Sequence, residues 1–348
     1  MSYGVRGVYG LINDNHYQVC LSISCLEFGD LFYCDYTAAL FEYSYADWDM
    51  SKATVNVAIA ILLHRGNILV GWREAKQHQG NKHEFPGGKL EAAETPEMAC
   101  RREVLEEVGI DIAHWHVFDH ICHEYDDLIV NLHVFHAVVQ VEQLDHIQSP
   151  WTWVKREELR QLNFPKANLN LIQRLSLATY IKISANFQDI QHLQPEQWMY
   201  FRPEKTIDWK HDLEQLENDV LNQMIVPFKL WQDLSMDKQL QVAAVHLKQN
   251  ELEKIHREQL QQGVAYIAAC HDLESALKAQ QIGCDAIFLS PVLPTQTHPE
   301  QLALGWERFG TWAAQLDIAV FALGGMTMDD LDQARQHHAY GIAGISHF

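Results

Sequence analysis

Apolar positions along the chain fall into two regimes. From Val57 to Leu63 the run Val-Ala-Ile-Ala-Ile-Leu-Leu is unbroken and too short for a buried helix, so it predicts a strand covered on both faces. Arg65-Gly66-Asn67 reads as a turn, and Ile68–Arg73 returns as the hairpin partner. The period then changes. Cys100, Val104 and Val108 recur at helical spacing between a start signal, Thr95-Pro96, and a stop signal, Gly109. Strand-like runs follow at His120–Tyr125, Val130–Val139 and Trp151–Val154, then a helix over Lys155–Leu162 and another that contains Asn168. Past Leu175–Ala178 a second regime begins, in which short apolar runs alternate with polar helical stretches. Its strands are expected at Tyr180–Ile183, Trp198–Phe201, Met224–Phe228, Val242–Leu247, Val264–Ala268, Ala286–Leu289, Ala319–Leu323 and Ile342–Ile345, which reads as a (β/α)8 barrel. No Gly/Ser-rich or Pro-rich linker separates the regimes, so the two halves are expected to pack on one another.

Composition narrows the picture at three points. Residues 1–49 are rich in Tyr, Phe, Cys and Leu, poor in Lys and Arg, and show neither period nor a signal-peptide pattern. Two readings stand: an upstream extension, with Met50 as the start, or an appendage on the core. The domain plan is therefore 1–49 extension, 50–177 first domain and 178–348 second domain. A formal charge of -20 argues against a protein that grips long nucleic acid, although bound metals reverse the local field for a small anionic substrate. Seven cysteines without paired metal-ligand spacing imply reduced thiols in a cytoplasm, and no apolar run is long enough to span a bilayer. The twenty histidines are scattered, and most read as surface or interface residues.

The chemistry is concentrated between Gly88 and Ile110. Glu103, Glu106 and Glu107 stand at i, i+3 and i+4, so three carboxylates crowd one side of the helix. By themselves they read either as a solvated acidic face or as oxygen ligands for a hard divalent cation, which would relieve their repulsion. The wider spacing decides. Gly88, Glu94, Arg102, Glu103, Val104, Glu106, Glu107, Gly109 and Ile110 match all nine specified positions of G-x5-E-x7-R-E-U-x-E-E-x-G-U, where U is apolar. The segment thus resembles the box of the Nudix hydrolases, whose fold is an α/β/α sandwich around a mixed sheet. The resemblance implies Mg2+ or Mn2+ and hydrolysis of a nucleoside diphosphate linked to another group. It makes Glu103, Glu106 and Glu107 metal ligands or base, with Glu94 supporting them. Arg102 would pair with a box glutamate, and Gly87 and Gly88 would bring the backbone close to the metal.

Within that family Glu84–Lys89 (E-F-P-G-G-K) is most similar to the MutT branch, which cleaves 8-oxo-dGTP to the monophosphate and pyrophosphate. Asn163–Asn168 resembles that branch's F-P-x-A-N segment, which implies that Asn168 reads the purine edge. Arg73 then matches the position on the phosphate or sugar side, and Phe85 one that lines the base. An amide suits the task because it offers donor and acceptor together. Leu128 stands where the branch commonly has arginine, and Thr152 where it has a further metal-side glutamate.

The second half resembles thiamine-phosphate synthase and its TenI relatives, which are TIM-barrel-like. The match is carried by Val245-His246-Leu247, Ala269-Cys270-His271, Ser290–Pro299, Gly324-Gly325-Met326 and Gly344-Ile345-Ser346. It implies a phosphate site from Arg202, Thr295, Thr297, Gly324, Gly325 and Ser346, with a thiamine precursor as ligand. The synthases' Q-x-R-x-K is reduced here to Tyr200-Phe201-Arg202, and Pro227-Phe228-Lys229 replaces their N-D-R, so the metal-ligating groups are missing and the barrel is expected to be catalytically degenerate. The expected function is Mg2+-dependent hydrolysis of a small nucleoside triphosphate, 8-oxo-dGTP. The alternatives are a thiamine-pathway or damaged-coenzyme pyrophosphate as substrate, or a bifunctional enzyme that keeps synthase activity.

Overall fold

The computed structural model describes residues 8–13, 16–20, 42–44, 52–73, 80–194, 197–203, 209–295, 302–345 and 348. The chain divides into two compact units, Met1–Ala53 and Thr54–Phe348. In the first, β1 (Val8–Asn13), β2 (His16–Cys20) and β3 (Glu42–Ser44) form an antiparallel sheet in that order. Met50, the expected start, lies outside the described residues.

The second unit opens with β4 (Ala53–His64), whose apolar run has two partners. Ala58, Ala60 and Leu62 face α1 (Pro96–Glu107) through Ala99, Cys100 and Val104, whereas Ile59, Ile61 and Leu63 face α2 (Leu169–Leu175) through Leu171, Ile172 and Leu175. A strand sandwiched between two helices has no polar face to show, which is why its sequence does not alternate. Around it the mixed seven-stranded sheet runs β10 (Thr152–Lys155), β5 (Asn67–Arg73), β4, β9 (Leu128–Val138), β8 (His116–Glu124), with β6 (Lys82–Glu84) on β5 and β7 (Gly87–Lys89) on β4. The β4–β5 hairpin turns on Arg65 and Gly66, both at positive φ, the backbone a two-residue hairpin requires. Where the sequence predicts a helix over Lys155–Leu162, the chain makes a 3-10 turn, Arg156–Gln161, anchored by only two buried side chains, Arg156 and Leu159.

The second regime closes into a barrel of eight parallel strands in sequence order: β11 (Tyr180–Ser184), β12 (Gln197–Phe201), β13 (Met224–Pro227), β14 (Ala244–Leu247), β15 (Tyr266–Cys270), β16 (Ala286–Leu289), β17 (Ala319–Leu323) and β18 (Gly341–Gly344). Each expected strand is present, and the largest displacement is over Val264–Ala268, where β15 starts and ends a little further along. Successive residues alternate between the interior and the helical jacket: Trp198 and Tyr200 point in, Met199 and Phe201 out. His246 departs from the surface or interface reading of the histidines. It stands inside the barrel, where the Tyr200 hydroxyl lies 2.8 Å from its Nδ1 and Phe288 packs at 5.7 Å. Cys100, Cys122, Cys270 and Cys284 are unbridged, and among the described residues no helix is long and apolar enough to cross a membrane.

Candidate active site

α1 and the loop before it form one construction. The Thr95 hydroxyl accepts from the Met98 N–H, Pro96 occupies the first turn, and Gly109, at φ +83°, lets the chain leave in a conformation other residues resist. Cys100 and Val104 bury one side of the helix, which obliges Arg102, Glu103, Glu106 and Glu107 to crowd the other. Arg102 binds that crowd together. Its Nε and Nη2 donate to the two Glu94 oxygens at 2.7 and 3.0 Å, and Nη1 donates to Glu103 at 2.9 Å and Glu106 at 3.4 Å. The Arg102 hydrogen bonds hold the Glu94 carboxyl down at about 2. Gly88 leaves room for the Glu103 carboxylate, which occupies the space a Cβ at that position would fill. Gly87 donates its N–H to Glu107 Oε2 at 3.0 Å.

Whether this group suits a cation can be judged from Glu107. Although the residue as a whole is exposed, its carboxyl folds back against Gly87. Burial there, aided by the charges of Glu103 and Glu84, pushes it up to about 7 against the opposing pull of the Gly87 N–H and Arg73. Carboxylates that repel one another and are only partly compensated form the donor set a hard divalent cation relieves. Glu103, Glu106 and Glu107, with the Gly87–Gly88 backbone beside them, therefore fit such an ion. Among the described residues they are turned toward Arg102 and Gly87, and no group of three acidic, cysteine or histidine side chains converges in ligand geometry.

The expected substrate residues lie on neighbouring elements. Arg73, at the end of β5, donates to Glu84 on the adjoining β6 at 2.6 Å. Motif spacing does not single out Glu84. The signal available is its place at the head of E-F-P-G-G-K, which the β5–β6 pairing brings beside Arg73. Phe85 is buried and stacks on Phe164 at 4.9 Å, so the two rings form a wall with Ala167 behind them. Asn168 precedes α2, is 6 % exposed and makes no capping hydrogen bond, so its amide does not serve as a helix cap. The Ala167 N–H donates to the Tyr125 hydroxyl at 3.2 Å and so ties this corner to the end of β8. Leu128 is half-buried at the start of β9 and Thr152 is exposed on β10.

At the carboxyl end of the barrel, the segment after β16 lies over the loop after β17. Leu293 donates to the Gly324 carbonyl at 3.0 Å, Thr295 sits against Gly324, and Leu293 sits against Gly325. Thr295, Gly324 and Gly325 are thus brought together, whereas Arg202 is exposed just beyond β12. Thr297 and Ser346 lie outside the described residues.

Comparison with known proteins agrees with this division. The NUDIX domain family model matches residues 57–174, and the thiamine monophosphate synthase family model matches 203–348. Over 87 residues, 25% of this chain and 78% of the relative, the sequence is 38% identical to the 8-oxo-dGTP diphosphatase of Proteus vulgaris. It is 35% identical over 123 residues to that of Escherichia coli (strain K12), covering 35% of this chain and 95% of the relative. A candidate thiamine-phosphate synthase of Aquifex aeolicus (strain VF5) is 41% identical over 80 residues, 23% of this chain, and the chain spans 43% of that protein. The chain belongs to the Nudix family and is a Nudix hydrolase that carries a thiamine-phosphate-synthase-like barrel.

Proposed function

We propose that the chain hydrolyses 8-oxo-dGTP to 8-oxo-dGMP and pyrophosphate with Mg2+ or Mn2+, acting in nucleotide-pool sanitation in the cytoplasm. The observation that carries the substrate choice is the Asn168 amide, which is nearly buried, uncapped and follows Ala167, a member of the cluster that holds Phe85 and Phe164. A base stacked along the Phe85–Phe164 wall would find in Asn168 both a donor and an acceptor for its altered edge. Arg73, steadied by Glu84, faces the phosphate or sugar side. When bound, the divalent cation would neutralise the polyphosphate and ease deprotonation of the attacking water. Glu103, Glu106 and Glu107 would hold it, while Arg102, bonded to Glu103 and Glu106, keeps those two side chains in place. A cation bound there would offset the burial and the neighbouring charges that push the Glu107 carboxyl up, keeping it ionised as a ligand. The relatives named 8-oxo-dGTP diphosphatases support the reading, as does the complete box.

In this proposal residues 50–177 are the hydrolase domain and 178–348 the barrel domain. The barrel is degenerate as a synthase and keeps at most a phosphate-bearing thiamine precursor near Arg202, Thr295, Thr297, Gly324, Gly325 and Ser346. The decisive experiment is hydrolysis by the full chain with Mg2+ of 8-oxo-dGTP, dGTP and thiamine pyrophosphate at matched concentrations, read as pyrophosphate from the two triphosphates and as orthophosphate from thiamine pyrophosphate. Preference for 8-oxo-dGTP is the expected result. Preference for thiamine pyrophosphate would replace it with a coenzyme pyrophosphate as substrate and remove the role given to Asn168.

A further inference from the structure

Where the β8–β9 edge of the Nudix sheet meets the barrel, the two halves enclose a cavity of about 310 Å³. Its sheet side presents His116, His136 and Arg174, and its barrel side Arg257, Tyr266 and Asp285. The seam is held beside it by the Gly263 N–H, which donates to the Phe118 carbonyl at 3.2 Å. Arg174 lies 4.2 Å above the Phe118 ring and donates to Asp119 at 2.6 Å.

Most acidic groups at this seam are already engaged. Asp119 accepts from Arg174 and from the His120 N–H, and Asp285, nearly buried, accepts from the Tyr266 N–H at 2.9 Å. The other lining carboxylate, Glu258, is exposed at the rim. The groups left without partners among the described residues are donors. Arg257 makes no ion pair or hydrogen bond with its guanidinium. The His136 imidazole, 6 % exposed, has no hydrogen-bond partner and lines the cavity. His116 Nδ1 is buried without a partner, with Gly283 packed against it. Arg156, close enough to interact electrostatically with His136 and Asp285, is 1 % exposed with Nε and Nη1 both unpartnered among the described residues. Buried donors and cations left unpaired are costly, and a cavity of this size, holding roughly ten waters at about 30 Å³ each, has room for a ligand that accepts from several at once.

We propose that this seam is a binding site for a phosphate-class oxyanion, gripped by Arg257 and Arg174 from opposite walls and by the imidazoles of His116 and His136. A guanidinium fork matches two oxygens of one phosphate, and of the two arginines that line the cavity Arg257 is the one without a partner among the described residues. Because residues of both halves contribute, occupancy ties the hydrolase sheet to the barrel. The inference is independent of which nucleotide the Nudix site cleaves. The anion is either free, as inorganic phosphate or pyrophosphate, or the phosphate of a monoester.

The test is equilibrium dialysis of the full chain against labelled pyrophosphate, inorganic phosphate and a nucleoside monophosphate. EDTA is included so that the box glutamates cannot hold phosphate through a metal. Saturable binding of one equivalent at the seam is expected, weakened about tenfold or more by Arg257→Gln and unchanged by Arg308→Gln, an exposed arginine outside the cavity lining. His136→Gln is expected to weaken it as well. Arg257 is only half-buried, so if His136→Gln fails to fold, Arg257→Gln decides. Tighter binding of the inorganic anions assigns the site to free phosphate or pyrophosphate, and tighter binding of the monophosphate assigns it to an ester. Absence of saturable binding in the millimolar range, or binding indifferent to Arg257→Gln, overturns the proposal and leaves a water-filled seam.

Discussion

Arg102 contacts three carboxylates at once, and that single side chain offsets much of their mutual repulsion. Glu106 is the least enclosed of the three, its side chain 60% exposed and only 3.4 Å from the arginine, so it contributes little to the fold. Glu106→Gln is therefore expected to leave the unfolding transition in place while lowering pyrophosphate release by about a hundredfold or more, the scale of losing a charge that steadies the metal. Wild-type turnover in that variant would remove the metal-site assignment. Asn168 tests the other end of the site. Its amide has no hydrogen-bond partner among the described residues, so Asn168→Ala should cost little stability but narrow the preference for 8-oxo-dGTP over dGTP by about ten- to a hundredfold, the worth of one or two specific hydrogen bonds. An unchanged ratio of kcat/KM values would mean that the purine edge is read elsewhere. Both residues were legible because motif spacing names them. Glu84 was not, because its partner Arg73 lies eleven positions away and only the β5–β6 pairing brings them together.

Elements were legible where burial imposes a strong pattern. β4 and the barrel strands are packed on both faces, so their apolar runs stand out with few polar interruptions. β6 and β7 were not expected: each has three residues, and β7 is Gly-Gly-Lys, with no side-chain pattern from which a strand could be read. They exist because β5 and β4 offer free edges to the loop that must reach α1. The start of α1 was readable for a local reason, the Thr95-Pro96 pair, and this gives a prediction at the same scale. Thr95→Ala removes the acceptor of the Met98 N–H and is expected to lower stability by about 1 kcal/mol in urea unfolding. Replacement by Ser should restore most of it, since serine offers the same hydroxyl. No loss with Ala would show that the Arg102–Glu94 contacts alone fix this end of the helix.

At the scale of the whole second unit, the sequence showed that the halves should pack but not how. The β4–β5 turn docks on the barrel, Arg65 and Gly66 both donating to Asp317, and Glu157 pairs with Arg335 at 2.6 Å. These partners are more than 170 positions apart, and no local pattern marks them. Histidine burial was equally hidden, because a histidine inside a barrel strand looks like one on a surface until the strand closes. At His246, burial, with Lys248 and Arg202 nearby, holds the imidazole down at about 3 against an ordinary 6.5. Below pH 6.5 the unfolded chain takes up a proton at this residue that the folded chain refuses until about pH 3, so stability falls as pH drops through that window. The loss from this one group is about 1.4 kcal/mol per pH unit, with the buried His136 acting in the same direction. Urea unfolding of the wild type between pH 7.5 and 5 should therefore show stability declining with acid. His246→Gln, whose amide can still face the Tyr200 hydroxyl, should flatten that decline by about one proton. Equal slopes in the two proteins would mean that His246 does not stay neutral in the barrel interior, and the Tyr200–His246 contact would then have to be reassigned as one between a hydroxyl and a charged imidazole.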